Sequence, residues 1–174
     1  MPTLVREMPE VTVGTRIRTY DTPWLGGPNS RLEVTPTYVD STFFDVFSFE
    51  VLRGDAREAV STPGTIALTA SMAQKLFDDT NPVGKTVDVN FGSDAYRVAA
   101  VLADPPANST IQFDMLAARA TIGQEALLAI GGWYNTNTTA YVRLAENADR
   151  SALGAKLPAF SERYFETAEE SSDV

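Results

Sequence analysis

The sequence predicts an α+β domain. Strand-like runs of β-branched and aromatic residues recur along the chain, and helical periodicities fall between them. The two types alternate without strict βαβ order. The 174 residues contain 44% hydrophobic, 21% charged and 10% aromatic positions, the balance of an ordinary folded protein. A chain of this length forms one domain, or two small lobes, and buries roughly 70% of its unfolded surface.

The first strand is expected at residues 11–19, where Val11, Val13 and Thr15 alternate with Thr12, Gly14 and Arg16. Residues 31–39 form a second β-rich run. Between them, the Pro- and Gly-rich stretch 21–30 reads as a loop. Residues 42–47 predict a short aromatic helix, with Asp40 or Ser41 as its cap. The Arg53-Gly54-Asp55 step reads as a turn. Another loop is expected at 61–64, followed by a short apolar strand at 65–69. In residues 71–77, Met72 and Leu76 are spaced for one helix face, and Thr69 or Ser71 is placed to cap it. After a loop at 78–84, residues 86–91 and 96–102 flank the turn formers Gly92, Ser93 and Asp94, which predicts a hairpin. Residues 104–109 read as loop, with Pro105-Pro106 holding the exit extended. Thr121 and Gln124 have capping-box spacing ahead of Leu127 and Ile130, and Gly131-Gly132 would stop that helix. Residues 139–144 give the last strand. Leu153, Leu157, Phe160 and Tyr164 then mark one face of an amphipathic helix. Pro158 predicts a kink or restart within it, and the acidic tail 165–174 is expected to fray.

Composition excludes several chemistries. Cysteine is absent, which removes disulfides and thiolates, and histidine is absent, which removes the commonest general base and zinc ligand. The net charge of −9 disfavours binding to phosphate backbones and to anionic lipid. The longest apolar run, residues 98–103, is far shorter than the about 20 residues of a membrane span. Residues 1–10 lack the apolar core of a secretory signal.

Individual motifs favour structural readings. Gly84-Lys85-Thr86 resembles part of a phosphate loop, but Asp79 stands where a glycine is required and a strand follows instead of a helix. Asp40 and Asp45 are close enough in sequence to suggest an acid–base pair, yet capping and the helix dipole explain them. Asp88, Asn90 and Asp94 resemble a calcium loop with the glycine out of register. Arg16 and Arg18 share a strand face, where Arg6 and Arg31 might join them. A solvated sheet face accounts for that pair, and a patch for an acidic partner is the alternative. Trp24 and Leu25, in the 21–30 loop, are the candidate partner contacts; folding back onto the core is the competing account of Trp24. Asn108 and Asn137 begin Asn-X-Thr patterns that matter only in a eukaryotic secretory setting. The residues by themselves identify no catalytic group, no cofactor and no metal site.

Three longer stretches carry a resemblance: YVDSTFFDVFSFEVLRGD at 38–55, then TIALTASMAQKLF, NPVGKTV and YRVAAVLADPPANSTIQFD within 65–114, and finally the strand at 139–144 with the helix containing Leu157, Pro158, Ala159 and Phe160. Together they are similar to the MacB-like periplasmic core domain of ABC-transporter permeases, often joined to an FtsX-like membrane module. The resemblance covers about residues 9–165. It implies a porter-like α/β-sandwich lobe at 1–48 and 107–174 with a smaller inserted α+β lobe at 49–106. It also implies a domain held outside the cytoplasmic membrane between the first and second transmembrane helices. Residues 4–9 resemble the end of a helix following the first of these. The expected chain is then a fragment, lacking the membrane helices, the strand after the first of them and the nucleotide-binding motifs. The implied function is non-catalytic. Membrane-helix motion, driven by a cytoplasmic ATPase subunit or domain, would be relayed to substrate or to a periplasmic adaptor, in a transporter that is a possible homodimer. A soluble periplasmic receptor for a small molecule or peptide, using a cleft between the lobes, is the alternative. A carboxylate-based enzyme comes third.

Overall fold

Five consecutive residues, Thr65–Thr69, are buried on both sides, as a central strand requires. In the computed structural model, which describes residues 2–19, 24–27, 30–78, 81–89, 94–121 and 138–170, this segment is strand β6 of a ten-stranded mixed sheet. The other strands are β1 (Val11–Thr19), β2 (Trp24–Gly26), β3 (Arg31–Glu33), β4 (Pro36–Val39), β5 (Val51–Gly54), β7 (Thr86–Val89), β8 (Asp94–Leu102), β9 (Met115–Ala118) and β10 (Thr139–Leu144). Their order is β10-β1-β4-β9-β6-β8-β7-β2-β3. β5 extends the β7 edge by pairing with the C-terminal end of β8. The β4–β9 and β6–β8 pairs are parallel, and the other pairs are antiparallel.

Strand alternation divides the core between two faces. On β6 and β9, Ile66, Leu68, Met115 and Ala117 point to one side; Ala67 and Leu116 point to the other. Along β8 the sequence Val98, Ala99, Ala100, Val101 breaks the alternation, and the β6–β8 register shifts there between Ile66 and Ala67. Helix α4 (Ala70–Phe77) covers the first face with Met72, Ala73, Leu76 and Phe77. The second face is covered by α2 (Phe43–Val46) and α3 (Ala56–Ser61), through Phe43, Ala56, Ala59 and Val60. Phe43 is fully buried, and its ring lies 5.1–5.7 Å from those of Phe44, Phe47 and Phe49. Phe47 and Phe49 carry this contact on to Tyr141 and Phe113, each at 5.1 Å. A third cluster packs α1 (Pro2–Glu7) and α5 (Arg150–Glu170) around Met8, Val11, Leu153 and Phe160.

The α+β expectation holds, with several local corrections. Residues 31–39 are two strands, because the chain turns away at Val34-Thr35, where the Thr35 amide donates to Asp114 Oδ2 at 3.0 Å. The predicted loop 21–30 contains β2, which pairs with both β3 and β7. Neither Asp40 nor Ser41 caps α2. Thr42 occupies that position without a side-chain cap, because its hydroxyl donates to the Gly14 carbonyl at 2.7 Å. For α4 the cap is Thr69, while Ser71 donates to Asp104 Oδ2. Arg53-Gly54-Asp55 is no simple turn. Gly54 closes β5, and Asp55 caps α3 by accepting from the Arg57 and Glu58 amides. Helix α5 continues through Pro158 to Glu170 without a restart. Gly154, whose carbonyl loses its donor to the proline, is exposed, so water can satisfy it. The hairpin predicted around residues 92–94 forms as β7–β8, and its turn lies outside the described residues, as does the helix expected after Thr121.

Candidate functional site

Arg16 sits midway along β1, where the strand passes the turn that follows β4. Its backbone amide donates to Asp40 Oδ2 at 2.9 Å, Nε donates to the same oxygen at 2.8 Å, and Nη2 donates to Oδ1 at 2.9 Å. A fork-to-fork pair of this kind fixes both side chains in one geometry. It also uses both Asp40 oxygens, so this carboxylate is committed to charge pairing. Asp45 is likewise occupied. It accepts from Arg57 Nη2 at 2.9 Å, and its carbonyl accepts from Arg143 Nη1 at 2.7 Å. The two carboxylates thus serve different arginines and do not form an acid–base pair.

Around the Arg16–Asp40 pair lies a cleft of about 730 Å³. Its walls come from α1, from β1, from the turn after β4, from the end of α3 and from the 3-10 turn Arg119–Thr121. A register shift in β1 between Val11 and Val13 redirects the strand beside it. The apolar lining includes Val5, Val13, Val39 and Val60. Three arginines reach the same space: Arg6, Arg16 and the half-buried Arg119. The side chain of Arg6 is 72% exposed and lies 3.6 Å from Glu7. Segment 49–106 contributes Val60 and Ser61, and all the other lining residues lie outside it.

A second constellation joins α1 to α5. Arg163 Nη2 donates to Glu7 Oε2, the Tyr164 hydroxyl donates to Glu7 Oε1, and Lys156 Nζ donates to Glu10 Oε1. The Tyr164 hydrogen bond, aided by the Arg163 charge, holds the Glu7 carboxyl below its ordinary 4.5. Lys156 lowers Glu10 in the same way, and the Glu7 carboxylate raises the Tyr164 phenol above 10.0.

The sequence-predicted sites fare differently. Leu25 is fully buried in the core under α4, so its side chain is a packing group and not an exposed contact. Trp24 lies in β2 opposite Glu33, and its side chain falls outside the described part. Arg16 and Arg18 do not form a solvated sheet face. Arg18 is only 5% exposed, and Arg16 is held by Asp40. Arg31 lies on β3 at the far end of the sheet, while Arg6 shares the cleft with Arg16. Lys85-Thr86 leads from a turn into β7, as its strand-like sequel suggested. Asp88 belongs to β7, and Asn90 lies outside the described residues. Among the described residues no three metal-ligating side chains converge. Sequence reasoning missed Arg119 and the Asp40 pairing, because nothing local marks residues that only the sheet brings together.

Comparison with known proteins places these features. The sequence profile of the MacB-like periplasmic core domain matches residues 2–160. Similar solved structures include a domain of a putative permease protein from Porphyromonas gingivalis, with a TM-score of 0.79 and 26% identity over 94% of this chain and 68% of that one. The periplasmic region of MacB from Actinobacillus actinomycetemcomitans superposes with a TM-score of 0.69, at 18% identity over 92% of this chain and 72% of that one. The extracellular domain of the noncanonic ABC-type transporter YknZ from Gram-positive bacteria gives 0.62, at 18% identity over 87% and 75%. No curated protein matches the sequence.

Proposed function

The chain belongs to the MacB-like periplasmic core domain family, and on that premise we propose that it is the non-catalytic, extracytoplasmic relay of an ABC-transporter permease. In this reading, ATP turnover on a cytoplasmic subunit or domain moves the membrane helices, and this domain passes the motion to substrate or to an adaptor. The observation that carries the reading is the clasp between α1 and α5. Glu7, Glu10, Lys156, Arg163 and Tyr164 tie together the elements nearest the two ends of the matched region. Those elements feed directly into β1 and β10, which pair with each other along the strand. A displacement entering at either helix is therefore handed to the sheet. Relays of this kind need stiff elements and a hinge, not a nucleophile.

We retain the division into a porter-like lobe at 1–48 and 107–174 and an inserted lobe at 49–106. The β6–β9 ladder crosses between these segments, as does the β2–β7 pairing, so the lobes proposed here would move over a shared sheet. The cleft lined from both segments favours a second reading, a receptor that uses that cleft.

Expression of the complete gene tests the relay. The domain should be digested by protease added outside the cytoplasmic membrane, remain with the membrane fraction and co-purify with an ATPase. Recovery as a free soluble protein, from a gene without flanking membrane helices, would contradict it.

A further inference from the structure

We propose that the cleft beside Arg16 binds a short peptide through its free carboxylate. The inference rests on the cleft being a binding site and adds the chemistry of the ligand. Three features point to it. First, the chain carries a net charge of −9, yet the cleft gathers Arg6, Arg16 and Arg119 against a single acid, Asp40. A cationic recess in an acidic protein focuses the local field on anions. Second, Arg16 is locked by its bidentate pair, which leaves Arg6 and Arg119 as the groups that answer a ligand's charge. A guanidinium has five N–H donors, so one engagement elsewhere does not exhaust it. Third, the rest of the lining suits a peptide body. Val5, Val13, Val39 and Val60 offer apolar surface, and the exposed Ser41 and Ser61 place hydroxyls within the same space for backbone amides and carbonyls. About 730 Å³ falls within the volume range of pockets that enclose small ligands. An acyl chain would require a lining without those hydroxyls.

The probe is acetyl-Leu-Ala-Val with a free carboxylate, compared with the same peptide amidated. Both are titrated into the ¹⁵N-labelled chain and followed by amide chemical shifts. The carboxylate peptide is expected to shift residues 13–16, 41–42, 60–61 and 119. Its affinity should exceed that of the amide by about tenfold, the size of a charge-assisted contact. Arg6→Gln and Arg119→Gln should each weaken only the carboxylate form. Ser61→Trp, at an exposed position lining the cleft, should block both peptides without lowering Tm. If Arg119→Gln fails to fold, Arg6→Gln, the amidated peptide and Ser61→Trp still decide. Equal affinity of the two peptides overturns the carboxylate claim while leaving a binding cleft. No shifts at millimolar peptide, or shifts confined to other residues, overturn both.

Discussion

The Tyr164 hydroxyl donates to Glu7 Oε1 across 157 positions of sequence. Arg163 takes the other oxygen of the same carboxylate, so one acid on α1 binds two consecutive residues of α5. Beneath this contact Met8, Val11, Leu153 and Phe160 form an apolar cluster of their own. The clasp is thus polar outside and apolar inside, and it sits where α1 passes into β1.

The clasp should respond to pH at both extremes. Glu7 and Glu10 titrate below 4.5 in the folded chain, so their contribution is complete above that value and is lost as pH falls through the lowered folded values. Tyr164 titrates above 10.0, so its contribution is complete below that value and is lost as pH rises through the raised one. Amide exchange in α1 should accelerate in acid and again in strong base relative to α4. Equal acceleration in both helices would show that the clasp is not the sensitive element.

Arg16→Ala removes two of the three donors on Asp40, whose side chain is 17% exposed. Denaturant unfolding should show a loss of about 1.5–3 kcal/mol, typical of hydrogen bonds to a charged group. Arg16→Lys should recover little of it, because an ammonium cannot make the paired contact.

Gly54 and Gly64 separate two kinds of glycine requirement. Both have positive φ, 74° and 77°. A Cβ at Gly54 would lie 2.1 Å from the Ala99 carbonyl oxygen, whereas one at Gly64 meets nothing within 4 Å. Gly64→Ala should cost about 1–2 kcal/mol from left-handed backbone alone. Gly54→Ala should cost clearly more, and comparison of the two Tm values checks this.

Leu25→Ala tests whether this residue is core. Complete burial predicts a loss of about 2–5 kcal/mol in chemical unfolding. A surface contact residue would change stability by less than about 0.5 kcal/mol.

Asp55→Ala removes the acceptor for the Arg57 and Glu58 amides and should lower stability by about 1 kcal/mol. Asp55→Asn keeps a capping oxygen and should lose much less.

How much of this was legible depends on which force decides each element. Thr65–Thr69 and Thr139–Leu144 announce themselves through β-branched and aromatic residues, and both strands form with the expected bounds. Met115–Ala118 escaped notice because Met, Leu and Ala favour helix in isolation. Pairing with β4 and β6, and burial of all four residues, override that preference. Helix α3 was hidden because Asp55 looks like a turn residue until its side chain is seen accepting amides. Leu25 was misplaced for a similar reason, since its Pro- and Gly-rich surroundings mask a three-residue strand. The candidate cleft was the least legible part. Residues 6, 16, 40, 61 and 119 meet only through sheet order, which no local spacing encodes. The family, by contrast, was readable, because its motifs are long, ordered and spread along the chain.

The central claim is that this domain moves as a stiff unit within a permease. Because the chain has no cysteine, spin labels can be introduced at exposed Lys75 on α4 and Thr139 on β10, near opposite parts of the sheet. Pulsed electron spin resonance on the complete transporter would compare nucleotide-free and ATP-bound states. The Lys75–Thr139 distance distribution should stay the same, while the distance from Thr139 to a label on a membrane helix changes. A Lys75–Thr139 distance that shifts with nucleotide, or a membrane-helix distance that does not, would contradict the account.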